Sequence, residues 1–164
     1  MFDYLAIFKK LNGKGVRYIV VGGIAVNIHG IPRMTYDIDL ILDLEDGNLK
    51  KFLTLMKGWG FKPKVPVKIM DFSKKDKRED WIKNKHMKAF NFVNYKWAIS
   101  EIDVVIDSPV DYDKALKKLE HINLQGVSIP VISIDDLIKM KRITDREQDI
   151  SDIRYLRKLK NEKV

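Results

Sequence analysis

Apolar and polar positions along the chain follow periods that predict an alternating series of helices and strands. Residues 3–12 carry apolar side chains at helical spacing and are followed by glycines, which predicts a first helix. Residues 17–21 are mostly β-branched and apolar, as is typical of a buried strand. A short helix at 24–30 and a strand at 36–43 follow, because Gly30 and Pro32 interrupt the chain between them.

The middle of the chain is less regular. A helix is expected at 46–58, and an edge strand at best at 60–67, where two prolines interrupt the pattern. Residues 70–85 are charged and irregular, which favours a loop with one helical turn. Segments 87–95 and 99–107 alternate in polarity and predict a strand pair.

The last third predicts a helix at 111–120, a short strand at 127–132, and two helices at 134–143 and 147–160. The full order is α-β-α-β-α-β-β-β-α-β-α-α. Such an order predicts an α/β or α+β fold, in which helices pack on a mixed β-sheet.

Length and composition limit the class of protein. The 164 residues, 45% of them apolar, suit a single domain over 1–164, with a core at 15–132 and C-terminal helices at 133–160. The sequence has no cysteine, which excludes disulfides, cysteine-ligated zinc and thiol nucleophiles. The N-terminus lacks a signal-peptide layout, and no apolar stretch approaches the ~20 residues that a bilayer requires. We therefore expect a cytoplasmic protein with no membrane partner.

The charge balance bears on partners. Lys and Arg number 31 against 23 Asp and Glu, a net charge of +8. A basic surface favours polyanions such as nucleotides, tRNA or other nucleic acid. The alternative is an ordinary solvated surface rich in lysine.

Three aspartates form the candidate chemistry. Asp37 and Asp39 lie two apart in one predicted strand, so both carboxylates point to one face while Ile38 and Leu40 point to the other. Repulsion between the carboxylates is relieved by a cation, and oxygen ligands suit Mg²⁺ or Mn²⁺. Asp103 lies in a later strand and faces the same pocket if the two strands are adjacent. The alternative is an ordinary polar strand face.

A glycine pair precedes these acids. Gly22 and Gly23 follow a buried strand and open a short helix, where backbone N–H groups can approach a phosphate closely. Taken alone, the pair is equally typical of a tight strand-to-helix turn. Together with the acids, it predicts a phosphate-binding turn next to a metal site.

These motifs resemble the DNA polymerase β-like nucleotidyltransferase superfamily. Its signature is an apolar strand, Gly-Gly or Gly-Ser, then Asp-apolar-Asp, with a third Asp in a later strand, matched here by Gly22, Gly23, Asp37, Asp39 and Asp103. The resemblance implies NTP and Mg²⁺ (or Mn²⁺) as substrate and cofactor. It also implies that the first two aspartates bind metal, and that the third binds metal or acts as general base.

The run HGIPRMTYDIDL resembles a small bacterial and archaeal branch, with abortive-infection-type toxins and lincosamide-type antibiotic nucleotidyltransferases among its members. That branch often has an Arg and a Thr ahead of the acids, matched by Arg33 and Thr35. Arg33 is a candidate triphosphate contact, with a surface loop cation as the alternative. Thr35 is a second candidate nucleotide contact, although capping or packing is its more ordinary role. Gly23 departs from the Ser of many members.

The C-terminal run resembles the closing helix pair of the family, with Lys141, Arg146, Asp149 and Asp152 in the expected order. The resemblance makes Lys141 a candidate nucleotide contact, whereas a charge run is ordinarily a solvated face. We interpret Asp149 and Asp152 as structural partners of Arg146 or Arg142.

Other residues favour structural roles. His29 lies near the glycine turn, but no spacing of histidines suggests zinc, so a structural histidine is the better interpretation. Phe92, Tyr95, Trp81 and Trp97 suit stacking on a base, yet burial in the core is more typical of such aromatics.

The motifs favour a metal-dependent nucleotidyltransferase that moves a nucleoside monophosphate from an NTP such as ATP to an acceptor and releases pyrophosphate. A small molecule, RNA or tRNA, and a protein all remain open as the acceptor, as does the oligomeric state. One alternative is a non-catalytic nucleotide-binding or toxin–antitoxin module that retains the fold. Another is a nucleic-acid-binding protein, which no recognisable DNA-binding motif supports.

Overall fold

The structure is a computed structural model that describes residues 3–162. Within them the strands are β1 (Tyr18–Val21), β2 (Asp37–Leu42), β3 (Lys62–Pro63), β4 (Ala89–Val93), β5 (Glu101–Val105), β6 (Glu120–Leu124) and β7 (Val127–Val131). The α-helices are α1 (Tyr4–Gly13), α2 (Gly22–Ile28), α3 (Asp46–Gly58), α4 (Lys75–Lys85), α5 (Tyr112–Leu116), α6 (Ile134–Thr144) and α7 (Glu147–Glu162), and a 3₁₀ helix covers Ile69–Ser73.

The strands form one mixed sheet in the order β3-β4-β5-β2-β1-β7-β6. Strand β2 lies inside the sheet, antiparallel to β1 and parallel to β5. Strand β1 is buried along its whole length, as its apolar composition predicts. The predicted mixed sheet with helices packed on it is confirmed.

Strand β2 shows how the polarity pattern fixes one face towards the core. Ile38 and Leu40 are fully buried, while Asp37 and Asp39 on the opposite face are only partly buried. This alternation follows from the two-residue period of a strand. A shift of register by one residue would put both carboxylates into the apolar core, so the position of the acids is strongly specified.

Two predictions about the middle and the end of the chain are wrong. Residues 70–85 are not a loop with one turn, because α4 is a regular helix over Lys75–Lys85. The helix predicted at 111–120 covers only Tyr112–Leu116, and residue 120 begins β6 instead. The prolines at 60–67 do limit that segment to a two-residue edge strand, as predicted.

The overlooked strand belongs to a hairpin with β7. Gln125 and Gly126 have φ angles of 50° and 84°. Two consecutive residues with positive φ form the tight hairpin turn that matches the twist of antiparallel strands. The Gln-Gly pair between two alternating segments was the signal for this hairpin.

No helix among residues 3–162 combines the length and the apolar character that crossing a membrane requires.

Candidate active site

Four carboxylates share one face of the sheet where β2 and β5 run side by side. In the register of this parallel pair, Asp37 lies opposite Glu101 and Asp39 lies opposite Asp103. Directly paired residues on neighbouring strands project to the same side. The three aspartates singled out in the sequence therefore lie together, and Glu101 joins them as a fourth acid that the motif did not indicate.

The pKa of Asp39 responds to several charged neighbours in and around this acid cluster. Burial, followed by the charge of Asp37, raises the pKa of its carboxyl to about 6, although Lys141 and Arg146 act in the opposite direction. Burial and the charge of Glu101 likewise raise the pKa of Asp37. Burial and the repulsion between neighbouring acids thus disfavour the charged carboxylates on this face, a cost that a bound cation would offset.

Asp103 is oriented by Asn91 of the neighbouring strand β4. The side-chain amide of Asn91, which lies opposite Asp103 in the β4–β5 register, donates a hydrogen bond of 2.7 Å to Asp103 Oδ1. Burial nevertheless raises the pKa of Asp103 to about 8, with further contributions from Asp39 and Glu101. Asn91 had no signal in the sequence, because its role depends on strand register.

Gly22 lies directly against the acid cluster. Its φ is 67°, and a Cβ atom placed on it would lie 2.1 Å from Asp39 Oδ2. No side chain fits at that distance, so the close approach of the turn to Asp39 requires glycine. The N-cap residue of α2, Val21, makes no side-chain hydrogen bond to the first turn. The first N–H groups of α2 therefore have no side-chain cap beside the acids.

Gly23 lies under the loop that leads into β2. A Cβ atom there would lie 3.0 Å from Thr35 Oγ1 and 3.2 Å from Cζ of Arg33. Thr35 Oγ1 also donates a long hydrogen bond of 3.4 Å to the carbonyl of Asp37. Arg33 and Thr35, which precede the acids in sequence, therefore both pack over the glycine turn.

A network of ion pairs around the buried residues Lys141, Asp149 and Asp152 joins this loop to the C-terminal helices. Asp152 of α7 accepts from Arg33 Nη1 at 2.5 Å and pairs with Lys141 Nζ of α6 at 2.9 Å. Asp149 pairs with Lys141 at 3.4 Å and with Arg146 at 3.0 Å. Lys141 is buried rather than solvated, and it lies between two carboxylates.

The predicted ion-pair partners are confirmed for Asp149 and wrong for Asp152. Asp149 pairs with Arg146, as proposed. Asp152 instead pairs with Arg33 and Lys141, and Arg142 forms no ion pair within residues 3–162. Sequence spacing along a helix could not predict a partner that arrives from a distant loop.

Histidine and aromatic candidates have structural surroundings. His29 is buried, and its Nε2 donates a 2.7 Å hydrogen bond to the carbonyl of Ile132. Trp81 and Phe92 belong to the core, Trp97 packs against other aromatic rings, and Tyr95 is largely exposed. Burial rather than base stacking explains the first two aromatics.

The acids fit a divalent cation held together with a nucleotide. Among residues 3–162, no three Asp, Glu or His side chains converge closely enough to hold a metal ion by themselves. Mg²⁺ in nucleotide sites takes one or two carboxylates, and substrate phosphates and water complete its coordination. Asp37 and Asp39 provide such a pair, and a cation would offset the burial and the repulsion by Asp37 that raise the pKa of Asp39.

Comparison by sequence identifies one family. The family profile described as "Nucleotidyltransferase of unknown function (DUF6036)" matches residues 4–160. A search of the curated proteins finds no match to the chain.

Several solved structures share the fold. The crystal structure of the lincosamide antibiotic adenylyltransferase LnuA with lincomycin bound has a TM-score of 0.63 and 17% identity, covering 93% of both chains. The solution structure of the antibiotic-resistance factor ANT(2'')-Ia has a TM-score of 0.58 and 11% identity, covering 92% of this chain and 78% of the other. An antigenic nucleotidyltransferase-like protein from Paracoccidioides brasiliensis has a TM-score of 0.55 and 19% identity, covering 93% of this chain and 72% of the other.

Proposed function

Because the chain belongs to the DUF6036 family of nucleotidyltransferases, we propose that it transfers a nucleoside monophosphate from an NTP to an acceptor hydroxyl in a metal-dependent reaction. The observation that carries this proposal is the acid face of β2 and β5, packed against the uncapped start of α2. An acid pair that needs a cation next to backbone donors that suit a phosphate is a combination that a metal–nucleotide complex satisfies.

Asp37 and Asp39 would hold the cation, Mg²⁺ or Mn²⁺. When bound, such an ion supplies charge neutralisation of the phosphates during transfer. Of the two, Asp39 is the one that lies against the Gly22 backbone, and the charge of Asp37 acts on it. This position allows Asp39 to meet both the ion and the glycine turn.

Asp103 would accept the proton of the acceptor hydroxyl, or join the first two aspartates as a metal ligand. As a base, it would take the proton while the acceptor oxygen bonds to the α-phosphorus. The bond between that phosphorus and the bridging oxygen then breaks, and pyrophosphate leaves. Burial raises the pKa of Asp103 to about 8 without a cation, and a cation on Asp37 and Asp39 would lower it towards the range in which the carboxylate accepts a proton near neutral pH. Asn91 keeps Oδ1 oriented.

The remaining proposed nucleotide contacts surround the glycine turn. Backbone N–H groups of Gly22 and Gly23 would face the triphosphate, with Arg33 beside them. Thr35 would support the turn by packing on it. Lys141 would contribute positive charge near Asp39 from its buried position.

The acceptor class is proposed from fold similarity. The neighbour LnuA is described as an adenylyltransferase of lincosamide antibiotics, so a small hydroxyl compound with ATP is the first combination to test. The net charge of +8 makes RNA the second acceptor class to test, and a protein side chain the third.

The test measures pyrophosphate release and transfer of a labelled nucleotide, with each of the four NTPs, Mg²⁺ or Mn²⁺, and the three acceptor classes. We expect Asp39→Asn to lower turnover by about 100-fold or more, because it removes a ligand charge at nearly constant volume. The matched control is Asp107→Asn, which changes an acid that pairs with Lys88 beyond the end of β5. Equal loss in both variants, or no metal-dependent NTP binding by the unmodified protein, would count against the proposal.

A further inference from the structure

We propose that Asp152 is a positioning residue, which holds the Arg33 guanidinium over Gly23 so that its free donors meet the phosphates of the NTP. This inference rests on the proposed function and deepens it. It assigns a role in nucleotide binding to a residue of the last helix, far along the chain from the glycine turn and the acids.

The contact between Asp152 and Arg33 is close and sheltered. Asp152 Oδ2 lies 2.5 Å from Arg33 Nη1, and the side chains are 2% and 20% exposed. An ion pair shielded from water has a defined geometry and is little weakened by salt. Arg33 belongs to the loop before β2, so Asp152 fixes the position of a loop side chain from the helical layer.

The guanidinium still has donors to offer. Arg33 uses Nη1 for Asp152, and Nε makes a long contact of 3.4 Å to the carbonyl of Met34. Within residues 3–162, Nη2 makes no hydrogen bond, and it lies 3.3 Å from the position that a Cβ of Gly23 would occupy. The unused donors therefore lie directly above the turn that would receive the phosphates.

The network distinguishes Arg33 from Lys141. Lys141 has two acidic partners, Asp152 and Asp149, so it keeps one when the other is removed. Among the described residues, Arg33 pairs with Asp152 alone. Loss of the Asp152 charge therefore releases Arg33 specifically, while the α6–α7 contact through Lys141 and Asp149 remains.

Glycine at position 23 leaves space for the Arg33 guanidinium. Arg33 Cζ lies 3.2 Å from the site of a hypothetical Cβ there. A Cβ atom at 23 would force the guanidinium to shift by a few tenths of an ångström. Gly23 and Asp152 thus serve the same end, since one makes room for Arg33 and the other anchors it.

The test compares binding of a non-hydrolysable NTP analogue with Mg²⁺ to the full chain, by calorimetry, before and after Asp152→Asn. We expect the dissociation constant to rise about tenfold or more, as loss of an anchored charged hydrogen bond predicts. When an acceptor that the protein modifies is supplied, Asp152→Asn should raise the KM for NTP while kcat at saturating NTP changes little. The matched control is Asp135→Asn, which removes another ion pair between α6 and α7, the one with Lys160, and should leave binding unchanged.

Arg33→Gln provides the second arm, since it alters a loop side chain and leaves the helices intact. It should weaken binding as much as Asp152→Asn, and the double variant should bind no more weakly than either single variant. If Asp152→Asn fails to fold, unchanged binding by Arg33→Gln alone overturns the inference. If the unmodified protein binds no NTP, the proposed function fails with it. If the unmodified protein binds and Asp152→Asn binds equally well, only the role of Asp152 fails.

Discussion

Gly22 and Gly15 share nearly the same left-handed backbone, with φ angles of 67° and 68°, but differ in their surroundings. A Cβ at Gly15 would meet only the end of the Lys51 side chain at 3.7 Å, whereas at Gly22 it would collide with Asp39. We expect Gly15→Ala to cost about 1 kcal/mol from backbone strain alone. Gly22→Ala should lower the free energy of unfolding in a urea melt by more than Gly15→Ala does, and it should abolish turnover. Equal loss of stability in the two variants would show that the contact between Gly22 and Asp39 does not matter.

The raised pKa of Asp103 predicts how the stability of the protein depends on pH. Its folded pKa of about 8 lies above the ordinary value of 3.8. Between pH 3.8 and about 8, the folded state therefore holds a proton that the unfolded state has lost. The stability of the metal-free protein should therefore fall as the pH rises from about 4 to 8.

Melting curves in a metal chelator at several pH values measure this fall. Because Asp103 is partly exposed, solvent screening limits the loss to about 1–2 kcal/mol. Asp103→Asn should flatten the pH profile and melt at a higher temperature at pH 8, and a variant that is as pH-sensitive as the unmodified protein would contradict this origin.

The residues of the acid cluster differ in how far they could be predicted. Asp37 and Asp39 followed from strand alternation, which is visible in the sequence. Glu101 and Asn91 lie in the cluster because of the register of β5 with β2 and with β4. Register depends on the packing of distant segments, so no local pattern could identify these two.

At the level of elements, α4 shows how tertiary packing can stabilise a helix that its sequence pattern hides. The helix is highly charged, and its buried residues are only Arg78 and Trp81. Trp81 stacks on Phe90 of β4 with ring centroids 4.9 Å apart, and Arg78 donates to the carbonyl of Phe72 at 2.7 Å. Two anchors in eleven residues give no visible apolar stripe, so the prediction of a loop failed.

Those anchors lead to a stability prediction. Trp81→Ala should destabilise the protein by about 3–5 kcal/mol, because it empties a buried aromatic site. Tyr95, which is 78% exposed, supplies the control, since Tyr95→Ala should change stability by less than about 0.5 kcal/mol. Denaturant melts followed by circular dichroism measure both, and a mild effect of Trp81→Ala would mean that α4 is held by other contacts.

At the level of the whole molecule, the acid face predicts coupling between ligand binding and stability. A cation bound at the proposed site of Asp37 and Asp39 would stabilise the folded state by mass action, by about 2.7 kcal/mol at a concentration 100 times its dissociation constant. Mg²⁺ or Mn²⁺ together with NTP should therefore raise the melting temperature, and Asp39→Asn should remove that shift. An equal shift in the variant would place the cation elsewhere on the protein.

The pairing of β2 with β5 also bears on the order of folding. These strands are parallel neighbours, although a helix, an edge strand and α4 with β4 separate them along the chain. Contacts between distant segments form only after the entropy of closing the intervening loop has been overcome. The hairpin of β6 and β7 is local and can form early. We therefore expect the carboxylates of β2 and β5 to come together late in folding, when packing of the rest of the chain can offset their mutual repulsion.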